Sequence, residues 1–226
     1  MKEKIETLWQ RDFAYARENS CPRACAALEY LRGKMEAPTR KQAEYLIHGL
    51  AMGWLLIELR LPVRSEEMDL MLAASVLHIL PELWSREELT RAGAGEGEVS
   101  FVERIARADR NPALAAEDRL LLMVKLVERS NLIEHLCDMS PDEAKQFMLE
   151  AKRVWFSVCL EGKVRYPEFD PAITNILEKM RGLFQVMDIL FKRYDAEEDE
   201  LCDEILTLKE ENARIRAALE QRRNTR

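Results

Sequence analysis

The segment Leu70–Leu83 most constrains the fold of this chain, because it is an almost uninterrupted apolar run that contains one histidine, His78. Residues that recur at helical spacing within the segment share one face of a predicted helix. They are Met71, Ala74, Ser75, His78 and Glu82. Ser65 predicts the start of this helix, since a hydroxyl caps free N–H groups and the two glutamates that follow favour the same end. Pro81 predicts its end or a kink.

His78 and Glu82 lie four residues apart, so both side chains can reach one metal ion or one phosphate group. The alternative is a core histidine held by a hydrogen bond, which is a common arrangement in folded proteins. The segment by itself leaves both interpretations open, and the choice depends on which other helices face His78.

The composition predicts an all-α fold. The 226 residues suffice for one substantial domain with an appendage, and 47% of them are hydrophobic. Ala, Leu, Glu, Arg and Met, which favour helices, are plentiful, and no alternating β-branched run occurs.

The net charge and the cysteine content of the chain indicate which partners and which cellular compartment to expect. The formal net charge of −7 argues against nucleic acid as the main partner. Five cysteines without the spacing of a disulfide framework predict reduced thiols in a cytoplasmic protein. The N-terminus has no apolar signal region. The longest apolar run, Tyr45–Leu59, is shorter than the ~20 residues that a membrane span needs, so no membrane association is predicted.

Two further helices carry polar residues on apolar faces. The first is predicted over residues 40–59 and places His48 on its apolar side. The second is predicted to start at Asn111–Pro112 and to continue from Ala113 to about Leu136.

Glu128 lies on the apolar face of the second of these helices. It needs a cationic partner there, because a buried unpaired charge is costly. A metal ion, Lys125 and Arg129 are the candidates, and the sequence alone leaves this choice open.

Short motifs in these three helices carry a family resemblance. They are Tyr45-x-x-His48, Ala73-Ala74-x-x-Leu77-His78 and Lys125-Leu126-x-x-Arg129. In this order and rough spacing they resemble the motifs of HD-domain (p)ppGpp hydrolases, the Rel/SpoT-type alarmone hydrolases and their small stand-alone relatives. The resemblance covers about residues 15–190. It implies an HD-domain-like helical bundle that holds one divalent metal, usually manganese, and removes the 3′-pyrophosphate of a guanine nucleotide.

The resemblance also implies roles for individual residues. His48 and His78 match metal ligands, and Glu128 stands where the family has an aspartate ligand. Glu82 matches one member of the catalytic acid pair. The residues expected to bind substrate are Arg40, Lys41, Lys125, Arg129 and Asn131. For the first two of these, a solvated pair of charges is the alternative.

Two positions depart from the family at its chemistry. Ile79 replaces a metal-binding aspartate, and Leu83 replaces the second catalytic acid. Loss of a general acid–base group alone costs roughly 10²- to 10⁴-fold in rate. The chain is therefore predicted to be catalytically impaired, with divalent-metal binding weakened or lost.

Three functions remain open at this stage. The first is a degenerate HD-domain protein that acts by binding a guanine nucleotide or a protein. The second is a metal-dependent phosphohydrolase of (p)ppGpp or a related nucleotide that uses His48, His78 and Glu128. The third is a helical module with a purely structural role.

The C-terminal part predicts a separate extension, so the chain is divided into residues 1–194, the HD-like domain, and 195–226, a helical or coiled-coil extension. Apolar residues and one asparagine follow a 4,3 spacing there, which is typical of a two-stranded coiled coil. They are Leu201, Ile205, Leu208, Asn212, Ile215 and Leu219. This pattern predicts a homodimer, and a frayed, solvated helix is the alternative.

Overall fold

The computed structural model describes residues 2–34, 38–78, 86–91, 93–136 and 139–193. These residues form helices and their connections, and no β-strand occurs among them. The predicted all-α class is therefore confirmed. The chain divides into two compact units, residues 1–180 and 181–226. The boundary predicted at residues 194 and 195 lies outside the described residues and stays a prediction.

The described residues of the first unit form a bundle of helices. They are α1 (Lys2–Glu18), α2 (Pro22–Lys34), α3 (Arg40–Glu58), α4 (Ser65–Leu77), α5 (Arg86–Arg91), α6 (Glu96–Arg110), α7 (Arg119–Glu134), α8 (Pro141–Glu150) and α9 (Phe156–Arg165). A 3₁₀ segment, Pro112–Glu117, precedes α7, and a π-helical turn, Ala151–Trp155, joins α8 to α9. Residues 170–180 are also helical.

Helices α3, α4 and α7 form the centre of this bundle. Helix α3 packs against α1, α4 and α7, while α4 also packs against α2 and α6. The residues of α4 from Met71 to Leu77 are all buried, and so are those of α7 from Leu121 to Glu128. Burial of these apolar side chains is the main force that fixes the three helices against one another.

Helix α3 begins at Arg40, the predicted first residue, and Thr39 is its N-cap. Thr39 accepts a hydrogen bond from the backbone N–H of Gln42, and the Gln42 side chain accepts one from the Thr39 backbone. This reciprocal capping box satisfies two N–H groups that a helix start otherwise leaves without partners. Ser140 and Glu143 form the same arrangement at the start of α8, as the sequence predicts.

The predicted start of α4 is wrong by one position. Arg64 occupies the cap, and its backbone N–H donates to the Glu67 carboxylate at 3.0 Å, whereas Ser65 is the first helical residue. This hydrogen bond, with those from the Arg64 and Arg119 side chains, lowers the pKa of Glu67 to about 2. The helix ends at Leu77, and Pro81, the predicted stop, lies outside the described residues.

The predicted start of α7 is also wrong. Asn111 makes no side-chain capping hydrogen bond, and the 3₁₀ segment follows it instead of an α-helix. The cap of α7 is Asp118, whose carboxylate accepts from the backbone N–H groups of Leu120 at 2.8 Å and Leu121 at 3.0 Å. The carbonyl of Ala116 accepts hydrogen bonds from the side chains of Arg165 and Tyr166, and these contacts hold the 3₁₀ segment in place.

The second unit is described over residues 181–193, which are helical. Within it, Phe184 and Met187 are buried, whereas Val186, Ile189 and Leu190 are exposed. The coiled-coil pattern of residues 201–219 lies outside the described residues. Of the helices that the structure describes, none combines the length and the apolar character needed to cross a membrane.

Candidate metal centre and cleft

Three side chains from the central helices meet at one point. His48 comes from the middle of α3, His78 follows the last residue of α4, and Glu128 comes from α7. One potential ligand atom from each lies within 4.8 Å of the others, and the two imidazole rings are 6.0 Å apart between centroids. The three residues that the sequence predicts as metal ligands are therefore brought together.

Hydrogen bonds fix the orientation of both imidazoles. Nδ1 of His48 lies 2.5 Å from Oδ1 of Asn131, and Nδ1 of His78 lies 3.0 Å from the Ser75 carbonyl and 3.2 Å from that of Ala74. Because these oxygens can only accept, each Nδ1 carries a hydrogen and each Nε2 keeps a free lone pair. An imidazole held in this way through its second nitrogen is typical of metal-binding histidines.

The surroundings keep both imidazoles uncharged at neutral pH. Burial, and next the neighbouring His78, lower the pKa of His48 to about 4, although Asn131 and Glu128 act in the opposite direction. Burial is also the largest influence on His78, and it lowers the pKa of that imidazole. Uncharged imidazole is the form that binds a metal ion, since protonation removes the lone pair.

Glu128 contributes a carboxylate that is almost fully buried. Burial alone would raise its pKa, but the charges of Lys125 and Arg129, with the hydrogen bond from Lys125, outweigh that effect and lower it. The carboxylate is therefore ionised, with Lys125 bound to its Oε2 atom. The second oxygen of the same group can still serve a metal ion.

The donor set fits a divalent transition metal. Two neutral imidazole nitrogens and one carboxylate oxygen are ligands that zinc, manganese and iron accept, and three protein ligands leave coordination positions open for water or substrate. Such a metal would be held by His48, His78 and Glu128 and would act there as a Lewis acid.

The predicted substrate-binding residues fall into two groups. Arg40 and Lys41, in the first turn of α3, line a cleft of about 890 Å³ that contains the three predicted ligands. The side chain of Arg40 is 87% exposed and pairs with Glu44 at 3.0 Å. Such a surface ion pair contributes little to stability, so Arg40 can exchange Glu44 for a phosphate group at small cost.

Of the other three predicted substrate-binding residues, Asn131 and Lys125 are buried and Arg129 is partly buried. Asn131 contacts His48, as described above, and is 2% exposed. Lys125 is fully buried and bound to Asp109 and Glu128. Arg129 lies between the rings of Phe147 and Trp155. In this conformation all three support the centre from inside the bundle, and a direct contact with substrate would require them to move.

Sequence reasoning missed several residues of the cleft, and two of them bear on the chemistry of the centre. Asp109, in the last turn of α6, lines the cleft and binds the Lys125 ammonium. Lys4, in α1, lines the same cleft and adds a third cation near Arg40 and Lys41. Asp109 follows the buried residues Phe101 and Ile105 of α6 by eight and four positions, so this helical spacing is the sequence signal that could have found it.

The remaining predicted site residues, Ile79, Glu82 and Leu83, lie outside the described residues, so their predicted roles stay predictions. Comparison with known proteins finds no match to this chain among protein-family models, curated proteins or solved structures. The HD-domain resemblance therefore stays a prediction as well. The structure shows three side chains that could bind a metal ion, and they line one cleft together with Lys4, Arg40 and Lys41.

Proposed function

We propose that this chain is an HD-domain-like protein that binds a divalent transition metal through His48, His78 and Glu128 and a phosphorylated guanine nucleotide in the adjoining cleft. The observation that carries the proposal is the convergence of the three ligand atoms within 4.8 Å, with both imidazoles held through Nδ1. Regulation by nucleotide binding is favoured over turnover, because Ile79 and Leu83 replace two polar groups that the resemblance assigns to the reaction.

The cleft supports a nucleotide as ligand. Its volume of about 890 Å³ is within the range of small-molecule sites. Arg40, Lys41 and Lys4 supply positive charge for phosphates, and Tyr45, which is 36% exposed, offers a ring on which a base can stack. A metal held by His48, His78 and Glu128, which line the same cleft, would supply further positive charge for the phosphates.

Manganese binding by the purified chain is the first test. Isothermal titration calorimetry is expected to give about one manganese ion per chain for the wild type. Glu128→Gln and His78→Gln are expected to weaken binding at least about 10-fold, since each removes a ligand. Glu134→Gln, on the same helix as Glu128 but paired with Lys179, is the control and is expected to bind manganese like the wild type.

Nucleotide binding is measured on the same samples. Guanosine tetraphosphate is expected to bind the manganese-loaded chain more tightly than the metal-free chain, because its phosphates complete the open metal positions. Absence of manganese binding by the wild type would refute the proposal. A metal-dependent phosphohydrolase is the alternative, favoured by the open coordination positions of a three-ligand centre, and release of pyrophosphate from the bound nucleotide would establish it.

A further inference from the structure

The Lys125 ammonium lies inside the candidate metal centre. Its side chain is fully buried, and its Nζ atom contacts Oδ1 of Asp109 and Oε2 of Glu128. Lys125 and Glu128 are three residues apart in α7, while Asp109 approaches from the end of α6. A buried ammonium between two carboxylates is stable only as long as both remain ionised and close.

Two cations of the protein already offset most of the charge of the three carboxylates around this ammonium. Two carboxylates, those of Asp109 and Glu128, face two cations, Lys125 and Arg129, with Arg129 3.7 Å from Asp109. Arg129 is in turn 3.7 Å from Glu150 and stacks on the Trp155 ring. The positive charge that a metal ion would bring to Glu128 is therefore already supplied in part by the protein itself.

A metal ion and the Lys125 ammonium compete for the same carboxylate. Both are cations, and in a buried site their mutual repulsion is poorly screened. We propose that Lys125 is an internal counter-cation that holds Glu128 in the metal-free protein, and that Asp109 takes over the ammonium when a metal ion binds Glu128. This inference rests on the proposed function, since it concerns the same centre, and it makes Lys125 and Asp109 positioning residues with opposite effects on metal affinity.

Asp109 is suited to this second role by its location. Its side chain is 44% exposed and lines the cleft, so it can follow the ammonium without losing contact with water. Glu128, by contrast, is held in the buried middle of α7 and has little freedom to move. The ammonium therefore shifts toward Asp109, and Glu128 stays with the imidazoles.

Two substitutions with opposite expected effects test the inference. Lys125→Met removes the competing charge while keeping most of the apolar stem, and manganese affinity is expected to rise roughly 10-fold. Asp109→Asn removes the alternative acceptor, and manganese affinity is expected to fall roughly 10-fold. Lys163 lies in α9 and pairs with Asp170. Lys163→Met breaks this ion pair, serves as the matched control and is expected to leave manganese affinity unchanged.

Thermal unfolding of the same proteins gives a second readout. Without metal, Lys125→Met is expected to melt below the wild type, because Glu128 loses its counter-charge, and manganese is expected to raise its melting temperature more than that of the wild type. If Lys125→Met does not fold, Asp109→Asn still decides the question. If the wild type binds manganese and neither substitution changes the affinity, the inference is wrong but the proposed function stands. If none of these proteins binds manganese, the proposed function itself is wrong.

Discussion

Asp12 in α1 carries a carboxyl group that the fold keeps away from water. The residue is 4% exposed, and Oδ2 has no hydrogen-bond partner among the described residues. Gly53 of α3 faces it so closely that a Cβ atom there would lie 3.0 Å from that oxygen. Burial raises the pKa of Asp12 to about 7, although Arg11, at 3.4 Å, acts to lower it.

This carboxyl group is expected to make stability depend on pH. Its pKa is higher in the folded chain than the ordinary value of 3.8, so the folded state binds the proton more tightly than the unfolded state. The free energy of unfolding therefore falls as the pH rises from about 4 to about 7, by up to about 4 kcal/mol.

Asp12→Asn is expected to remove this dependence and to raise the melting temperature above pH 7. Chemical denaturation of both proteins between pH 5 and pH 8 measures the effect. Asp142→Asn, at an exposed aspartate in α8, is the control and should retain the wild-type slope. Equal slopes in the wild type and Asp12→Asn would mean that Asp12 is ionised throughout.

Individual site residues can be predicted from the sequence where a polar residue type is unusual among its apolar neighbours. His48, His78 and Glu128 interrupt apolar faces, and the family resemblance predicts each of them as a ligand. Asn131 is predicted to bind substrate, but it contacts His48 instead, and the contact of Asp109 with Lys125 is not predicted. Their roles depend on how α3, α6 and α7 pack, and short-range patterns carry no information about packing between distant segments.

Among the helices, the start of α7 shows how a local signal can be overridden. Asn111–Pro112 has the residue types of a helix start, yet the chain forms a 3₁₀ turn there because Arg165 and Tyr166 bind the Ala116 carbonyl from α9 and the residue after it. The effective cap, Asp118, lies seven residues later. By contrast, α8 begins at its capping box of Ser140 and Glu143, since this whole signal lies within four residues.

The two candidate caps of α7 can be compared directly. Asp118→Ala is expected to lower the free energy of unfolding by about 1–2 kcal/mol, because two backbone N–H groups lose their acceptor and Arg104 loses its ion pair at 2.8 Å. Asn111→Ala is expected to change it by less than about 0.5 kcal/mol. Urea titrations of both variants provide the measurement, and a larger loss for Asn111→Ala would contradict the assignment.

For the whole molecule, the sequence predicts that two chains associate through residues 195–226. The exposed apolar side chains of Val186, Ile189 and Leu190 lie just before that segment in the second unit. Their exposure is compatible with a contact surface in this unit. The prediction itself still depends on the 4,3 pattern of the residues that follow.

Sedimentation of the full-length chain tests this prediction. The wild type is expected to sediment as a dimer at micromolar concentration, and Ile205→Lys, which places a charge in the predicted seam, is expected to sediment as a monomer. Glu210→Lys changes the charge outside the seam pattern and serves as the control. If the wild type is a monomer, the dimer prediction is wrong, and the 4,3 pattern belongs to a frayed, solvated helix.

In α3, the residues that pack in the core and the charged residues that line the cleft lie on different sides of the helix. Ala43, Leu46 and Leu50 face the core, while Arg40 and Lys41 line the cleft. Substitutions on the cleft side therefore alter the lining of the cleft without disturbing the packed interior. Under the proposed function, a lineage that carries this helix can change the phosphorylated compound it binds in a few mutational steps and remain folded at each one.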